Sequence, residues 1–368
     1  MKTLHWSFAH KHPAITFLLI TFVWTWFFWF AAIPFRNQNN LLVMAMVLIG
    51  GFGPAVGGIL TLGLKNGLTF EFSAKKTAAM MIGASVIFIL MTLRYQAGNI
   101  KKYDFLAENL SLNVPIIAAA LFASLVGGCV ISNAFSGNVG IRTRMASILP
   151  WKKPPFWTLL GLFFYPALIL VAWGLASLLG LDIEYPGLWK SPILETLPFY
   201  VLTFSLTALA QGGNEEPGWR GFLQPELQKR FNPLVAAIFV AVVWSLWHLP
   251  LYLNGFYPGN LVEGMIGGGI FRILLAIFLG WFYNRSDGNL FAIIMLHTSF
   301  NVMVNFLPTS DIGLLVLWLV VVIIIVIKDK MYRKLPTPQA LTAQETEKTA
   351  SLVAKTNQKV HREKNKPL

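Results

Sequence analysis

The amino-acid sequence predicts an all-α protein, a polytopic transmembrane bundle of about ten helices with both termini in the cytoplasm. Three observations predict it. Of 368 residues, 55% are hydrophobic and only 12% are charged, whereas a soluble domain carries about 25% charged residues. Mean hydropathy is +0.61. The charges are clustered, leaving long uncharged runs, each near the roughly 20 residues that cross a bilayer as a helix. Barrel strands would alternate apolar and polar over about 10 residues; these runs are continuous and about twice as long.

The expected spans are 13–35, 41–64, 77–95, 113–134, 156–181, 196–216, 233–253, 262–283, 289–307 and 312–327. The first follows a short basic stretch, as a signal peptide would. Its apolar run exceeds the 7–15 residues of a cleaved segment, so a retained helix is expected. Residues 1–135 form a four-helix amino-terminal region with few ionisable groups. Small residues abound there, as in Gly50-Gly51-Phe52-Gly53-Pro54 and Gly57-Gly58, which predicts close helix packing. A basic loop rich in Gly, Ser and Pro, 136–155, separates this region from six later helices, 156–327. No internal repeat is visible. The single cysteine, Cys129, excludes an intrachain disulfide.

Net charge is +13, of which +6 lies in the tail 328–368, with ten Lys/Arg against four Asp/Glu. That composition predicts a disordered cytoplasmic segment near anionic lipid and no nucleic-acid partner. Orientation follows from the basic loops. With the amino terminus inside, the inner segments carry Lys2 and Lys11; Lys65, Lys75 and Lys76; Arg142, Arg144, Lys152 and Lys153; Lys229 and Arg230; Arg285; and the tail. The outer segments carry only Arg36, Lys101, Lys102 and Lys190, the pair at 101–102 being the main exception. A multi-pass protein of the plasma membrane is expected.

The later spans hold or adjoin Glu195, Glu215, Glu216, Arg220, His248, Glu263, Arg272 and His297. An ionisable group inside a bilayer costs on the order of 2.5–3.5 kcal/mol even on permissive scales, which makes each a functional candidate. In Asn214-Glu215-Glu216-Pro217-Gly218-Trp219-Arg220-Gly221, Arg220 follows Glu216 by four, so the two pair on a helix. Glu215 is then left about 100° round the helix. Pro217 predicts a kink or a restart of the helix. A plain ion pair at a helix break is the structural alternative. His248, in Trp244-Ser245-Leu246-Trp247-His248-Leu249-Pro250, sits in an apolar helix, where it could simply bond a neighbouring helix. His297 and Asn301 share a helix face. A donor pair of that kind suits the oxygen of a tetrahedral intermediate, or else acts as polar glue between helices.

Together the three clusters say more. Lys229-Arg230-Phe231-Asn232-Pro233 lies midway between Glu215 and His248, and about 16 residues of helix on each side, roughly 24 Å, bring both to similar depth. If helix continues through 217–230, the sixth span is longer than one crossing or bends.

These motifs resemble those of the CPBP family of intramembrane proteases, which contains CAAX prenyl endopeptidases and bacteriocin-processing (Abi) enzymes. Two Glu, three residues and Arg are matched by Glu215, Glu216 and Arg220; Phe, three residues and His by His248, with Trp244 in place of Phe; and His, three residues and Asn by His297 and Asn301. The resemblance covers about 195–307. It implies intramembrane peptide-bond hydrolysis on a membrane-associated protein or peptide. Glu215 and His248 would activate water, His297 and Asn301 would hold the oxyanion, and Glu216 and Arg220 would orient Glu215 or bind substrate backbone. Trp244 keeps the aromatic shape, so its effect is expected on packing more than on chemistry. A carboxylate removed from water is a stronger base. No Ser or Cys is in register to act as a nucleophile, so direct attack by water is expected.

Glu215, His248 and His297 could instead supply three zinc ligands with an open fourth position. There is no His-Glu-x-x-His motif, and a metal-free site is favoured. Two other functions fit less well: a non-enzymatic membrane scaffold or immunity protein, and a transporter, which usually shows paired broken helices.

Overall fold

The computed structural model describes residues 7–36, 40–67, 73–98, 114–150, 153–257 and 259–335. Lys2, Lys101, Lys102 and Lys152 lie outside the described residues, as does the tail beyond 335 for which disorder is expected.

The described residues are mainly helical and include no strand; an antiparallel bridge joins Glu184 and Thr309. Its helices are α1 (Ser7–Lys11), α2 (Pro13–Ala31), α3 (Asn40–Gly51), α4 (Gly53–Asn66), α5 (Ala74–Gly98), α6 (Val114–Ser132), α7 (Val139–Met145) and α8 (Pro155–Leu179), then α9 (Ile193–Ala210), α10 (Glu216–Gly218), α11 (Gln224–Gln228), α12 (Pro233–Trp247), α13 (Leu249–Leu253), α14 (Leu261–Arg285), α15 (Leu290–Met303) and α16 (Asp311–Lys328). Among the described residues, nine segments are long and apolar enough to cross a bilayer, making this an integral, multi-pass membrane protein. The expected span 289–307 is the exception: α15 has 14 residues, about 21 Å of helix against a hydrocarbon core of about 30 Å. It is covered by protein instead, packing along α8 and α9.

The glycines of the amino-terminal region pack as expected. Gly50 faces the Trp29 ring, Gly53 faces Thr25 and Gly57 faces Thr21, each so closely that a methyl group would overlap its neighbour. Helices α2, α3 and α4 therefore approach through small residues, which brings many atoms into dispersion contact where lipid supplies no hydrophobic drive. The buried hydroxyl of Thr25 donates to the Gly50 carbonyl at 2.8 Å, fixing the register of α2 on α3.

The four-helix region is not a separate unit. Gly218 lies against Pro54, where a Cβ would strike the Pro54 carbonyl, and Gly58 lies against Gly218 and Phe222. From α2, Phe17 packs on Trp219 and Phe222, with ring centroids 5.5 and 5.2 Å away. The segment bearing the two glutamates is thus wedged between both halves.

The break in the sixth span falls earlier than Pro217. Helix α9 ends at Ala210, and the chain turns at Gly212, whose φ of +136° is reserved for glycine. Helix then restarts with Pro217 in its first turn, where its missing N–H costs nothing. Trp219–Leu223 form one wide π-turn before α11. The whole segment, Ile193–Gln228, is 36 residues long, so the span both bends and exceeds one crossing.

Candidate active site

Glu215, His248, His297 and Asn301 line one cavity of about 830 Å³. Glu215 follows the Gly212 turn, and its backbone N–H closes that turn on the Gly212 carbonyl at 3.0 Å. Its side chain is 7% exposed. Two indoles hold one carboxylate oxygen: Trp244 Nε1 donates to Oε2 at 2.7 Å and Trp219 Nε1 at 3.3 Å. The other oxygen takes no hydrogen bond from the described residues.

Trp244 therefore does more than keep an aromatic shape. Phenylalanine has no N–H and could not bind Glu215, so the departure at this position bears on chemistry as well as packing. The Trp244 ring also carries the Arg220 guanidinium, 4.8 Å from its centroid, and meets the rings of His248 and His297 at 5.6 and 5.4 Å. It joins all three motifs.

His248 ends the α12 helix. Its Nδ1 lies 2.6 Å from the Trp244 carbonyl, which can only accept, so Nδ1 carries the proton. In the neutral ring Nε2 then has a free lone pair. The ring stacks on Tyr257 at 5.9 Å. Tyr257 lies in the α13–α14 connection, where burial pushes its hydroxyl up to about 12, so it stays protonated at neutral pH. Beside it is Arg272, whose Nη1 is buried without a hydrogen-bond partner.

Glu216 and Arg220 pair as their spacing predicts, Arg220 Nη1 donating to both Glu216 oxygens at 2.9 and 3.2 Å. Both residues are fully buried, and neither lines the cavity. They therefore act on Glu215 through charge, without a direct hydrogen bond to it. Glu216 instead accepts from His297 Nδ1 at 2.5 Å, leaving His297 Nε2 on the side of Gly212 and Asn301. A Cβ at Gly212 would overlap the Asn301 amide, so this glycine is required by backbone angle and by space.

Glu215, His248 and His297, the three residues that could hold a zinc ion, line the same cavity. Among the described residues no three His, Cys, Asp or Glu side chains are close enough to hold one metal ion, and the Glu215 oxygen nearest the second motif is engaged by two indoles.

The amino-terminal half supplies part of the cavity wall through Trp29, Leu48, Gly51 and Arg94. Sequence reasoning missed these, since a wall residue carries no chemical signature. It also missed Gly212, although Gln211-Gly212-Gly213 before two acids is a turn signal. Trp219 is four residues from Glu215, a helical spacing that could have suggested the contact.

Comparison with known proteins adds to the geometry. Residues 197–303 match a family described as type II CAAX prenyl endopeptidase Rce1-like. The match covers the same stretch as the motif resemblance. A curated relative, CAAX prenyl protease 2 of Methanococcus maripaludis, is 31% identical over 127 residues, which is 32% of this chain and 47% of that protein. The chain thus spans about half the length of the relative it matches, and the matched region 197–303 contains all six residues of the three motifs.

Proposed function

We propose that this chain is an intramembrane endopeptidase that hydrolyses a peptide bond of a membrane-associated protein or peptide, using a Glu/His/His/Asn site. The observation that carries this is the convergence of Glu215, His248, His297 and Asn301 on one cavity within a membrane protein. The family match and the name of the curated relative support the same reaction class.

In the proposed reaction water attacks the scissile carbonyl and Glu215 takes its proton. The free Nε2 lone pair of His248 accepts a hydrogen bond from the same water, and the pair returns a proton to the leaving amine. Asn301 donates to the oxyanion. His297, its ring held by the Nδ1 bond to Glu216, turns Nε2 toward the same oxygen. Arg272 and Tyr257 are placed to bind carbonyl or carboxylate groups of the substrate.

We take water activation to be metal-free, supported by the donor geometry at Glu215. Activity that survives exhaustive chelation, with no metal found bound, is the expected result; stoichiometric bound zinc would overturn it. The reaction itself is tested by mass spectrometry of membrane peptides from cells carrying the wild-type chain or Glu215→Ala. Peptides that appear only with the wild type are expected, and identical peptide sets would refute the assignment.

A further inference from the structure

Among the described residues, the cavity wall includes one carboxylate, Glu215, and two guanidinium groups, Arg94 and Arg272. The carboxylate is already held by two indoles. No ion pair joins Arg94 or Arg272 to a described acidic residue. A cation within a membrane span is costly without an anion, so the cavity suits a ligand that brings negative charge.

The two guanidinium groups stand at different places. Arg272 is at the catalytic end, beside Tyr257, whose ring stacks on His248. Arg94 comes from α5, outside the matched region 197–303. Its guanidinium lies over the Phe199 ring of α9, 4.8 Å from the centroid. A ring takes the flat face of a guanidinium and leaves the N–H donors in its plane for a carboxylate. From Phe199 toward the Gly212 turn, α9 presents Thr203, Thr207 and Gln211 to the cavity at four-residue spacing. The Thr203 hydroxyl is buried without a hydrogen-bond partner. This strip leads from Arg94 to the catalytic side chains, since Gly212 adjoins His297 and Asn301. The rise from Phe199 to Gln211 is about 18 Å at 1.5 Å per residue, a length that an extended peptide covers in about five residues.

We propose that Arg94 is a specificity-determining residue, which binds an acidic side chain of the substrate about four to six residues from the scissile bond. The hydroxyls of Thr203 and Thr207 flank the chain between the two points. The distance to the scissile bond rests on the endopeptidase reading; the affinity of the cavity for an acidic peptide does not.

The peptides that depend on Glu215 test the distance. Their cut points are compared by mass spectrometry between cells carrying the wild type, Arg94→Gln and Arg94→Glu. With the wild type, Asp or Glu is expected to be enriched at that distance from the cut. Cutting at those sites should fall about tenfold or more with Arg94→Gln, and sites with Lys there should gain with Arg94→Glu. No acidic enrichment, or an equal loss at every site, overturns the proposal. Binding separates it from the protease reading. The purified full chain carrying Glu215→Gln, in neutral detergent, is titrated with a fluorescent dodecapeptide of Leu, Ala and Ser bearing one Asp, and with its Asn counterpart. The Asp peptide should bind about tenfold more tightly, and the added Arg94→Gln should abolish the difference. If Arg94→Gln fails to fold, Arg94→Lys, which keeps the charge and loses the planar fork, should keep a reduced preference; an unchanged preference overturns the proposal. Equal binding of the two peptides refutes it, as does equal binding together with Arg94-dependent binding of phosphatidylglycerol, which would assign Arg94 to a lipid phosphate. An Asp preference without any cleavage dependent on Glu215 refutes the endopeptidase reading and leaves the acidic-peptide subsite standing.

Discussion

The two halves of this protein are held together by different physics. In the amino-terminal half, glycines and threonines let α2, α3 and α4 approach until backbones nearly touch. The later half holds two carboxylates, a guanidinium and two imidazoles, all buried. The first arrangement loses stability gradually when a methyl group is added. The second loses it abruptly when one charge is left without its partner, because the low dielectric that strengthens a pair also penalises an orphan. What the contrast teaches is that charge inside this membrane protein is arranged for position, while its tightness comes from small uncharged residues.

The largest expected effect is on turnover. Glu215→Ala and His248→Ala should each lower cleavage at least about 10³-fold, within the range attributed to a positioned acid–base group, while the protein still inserts. Full turnover in either purified variant would place the chemistry elsewhere.

Next comes stability in the later half. Glu216→Gln leaves Arg220 without its buried anion and should cost about 3–5 kcal/mol, read as a lower midpoint of thermal unfolding in detergent. A variant as stable as the wild type would show that the pair is not what holds this floor together.

The corresponding change in the first half is Gly53→Ala. Its methyl group falls inside Thr25, and overpacking of that kind costs about 1–3 kcal/mol. Specific activity per folded molecule should be unchanged, which separates packing from catalysis. A fall in the specific activity of folded protein would mean that α4 transmits strain to the glutamate segment through Gly218.

The smallest effect is expected at Arg272. Arg272→Gln removes a charged donor beside Tyr257 and should raise KM about tenfold, the lower end of what a hydrogen bond to a charged group contributes, with kcat nearly constant. Trp244→Phe sharpens the comparison from inside the site: it restores the aromatic residue of the family motif and deletes one donor to Glu215, so kcat should fall while KM holds.

Much of the fold was legible because a bilayer imposes a one-dimensional rule. Uncharged runs of sufficient length become helices, and this placed eight spans within a few residues, while the sixth runs on to Gln228. The tenth, α15, is short for a crossing, since a helix covered by α8 and α9 need not meet the hydrocarbon along its full length. Ionisable residues in apolar surroundings pointed to the site for a similar reason: they are too costly there without a task.

What the sequence determined alone was the helical class, the span order, the Glu216–Arg220 pair and the set of polar side chains worth watching, because each depends on local spacing or on transfer from water to lipid. Tertiary structure alone decided that the helix breaks at Gly212, that Glu216 accepts from His297, that Trp244 binds the neighbouring carboxylate, and that the amino-terminal helices wall the cavity. Those outcomes depend on which residues meet across separate helices, and no spacing along a single chain segment encodes the direction in which a buried side chain finds its partner.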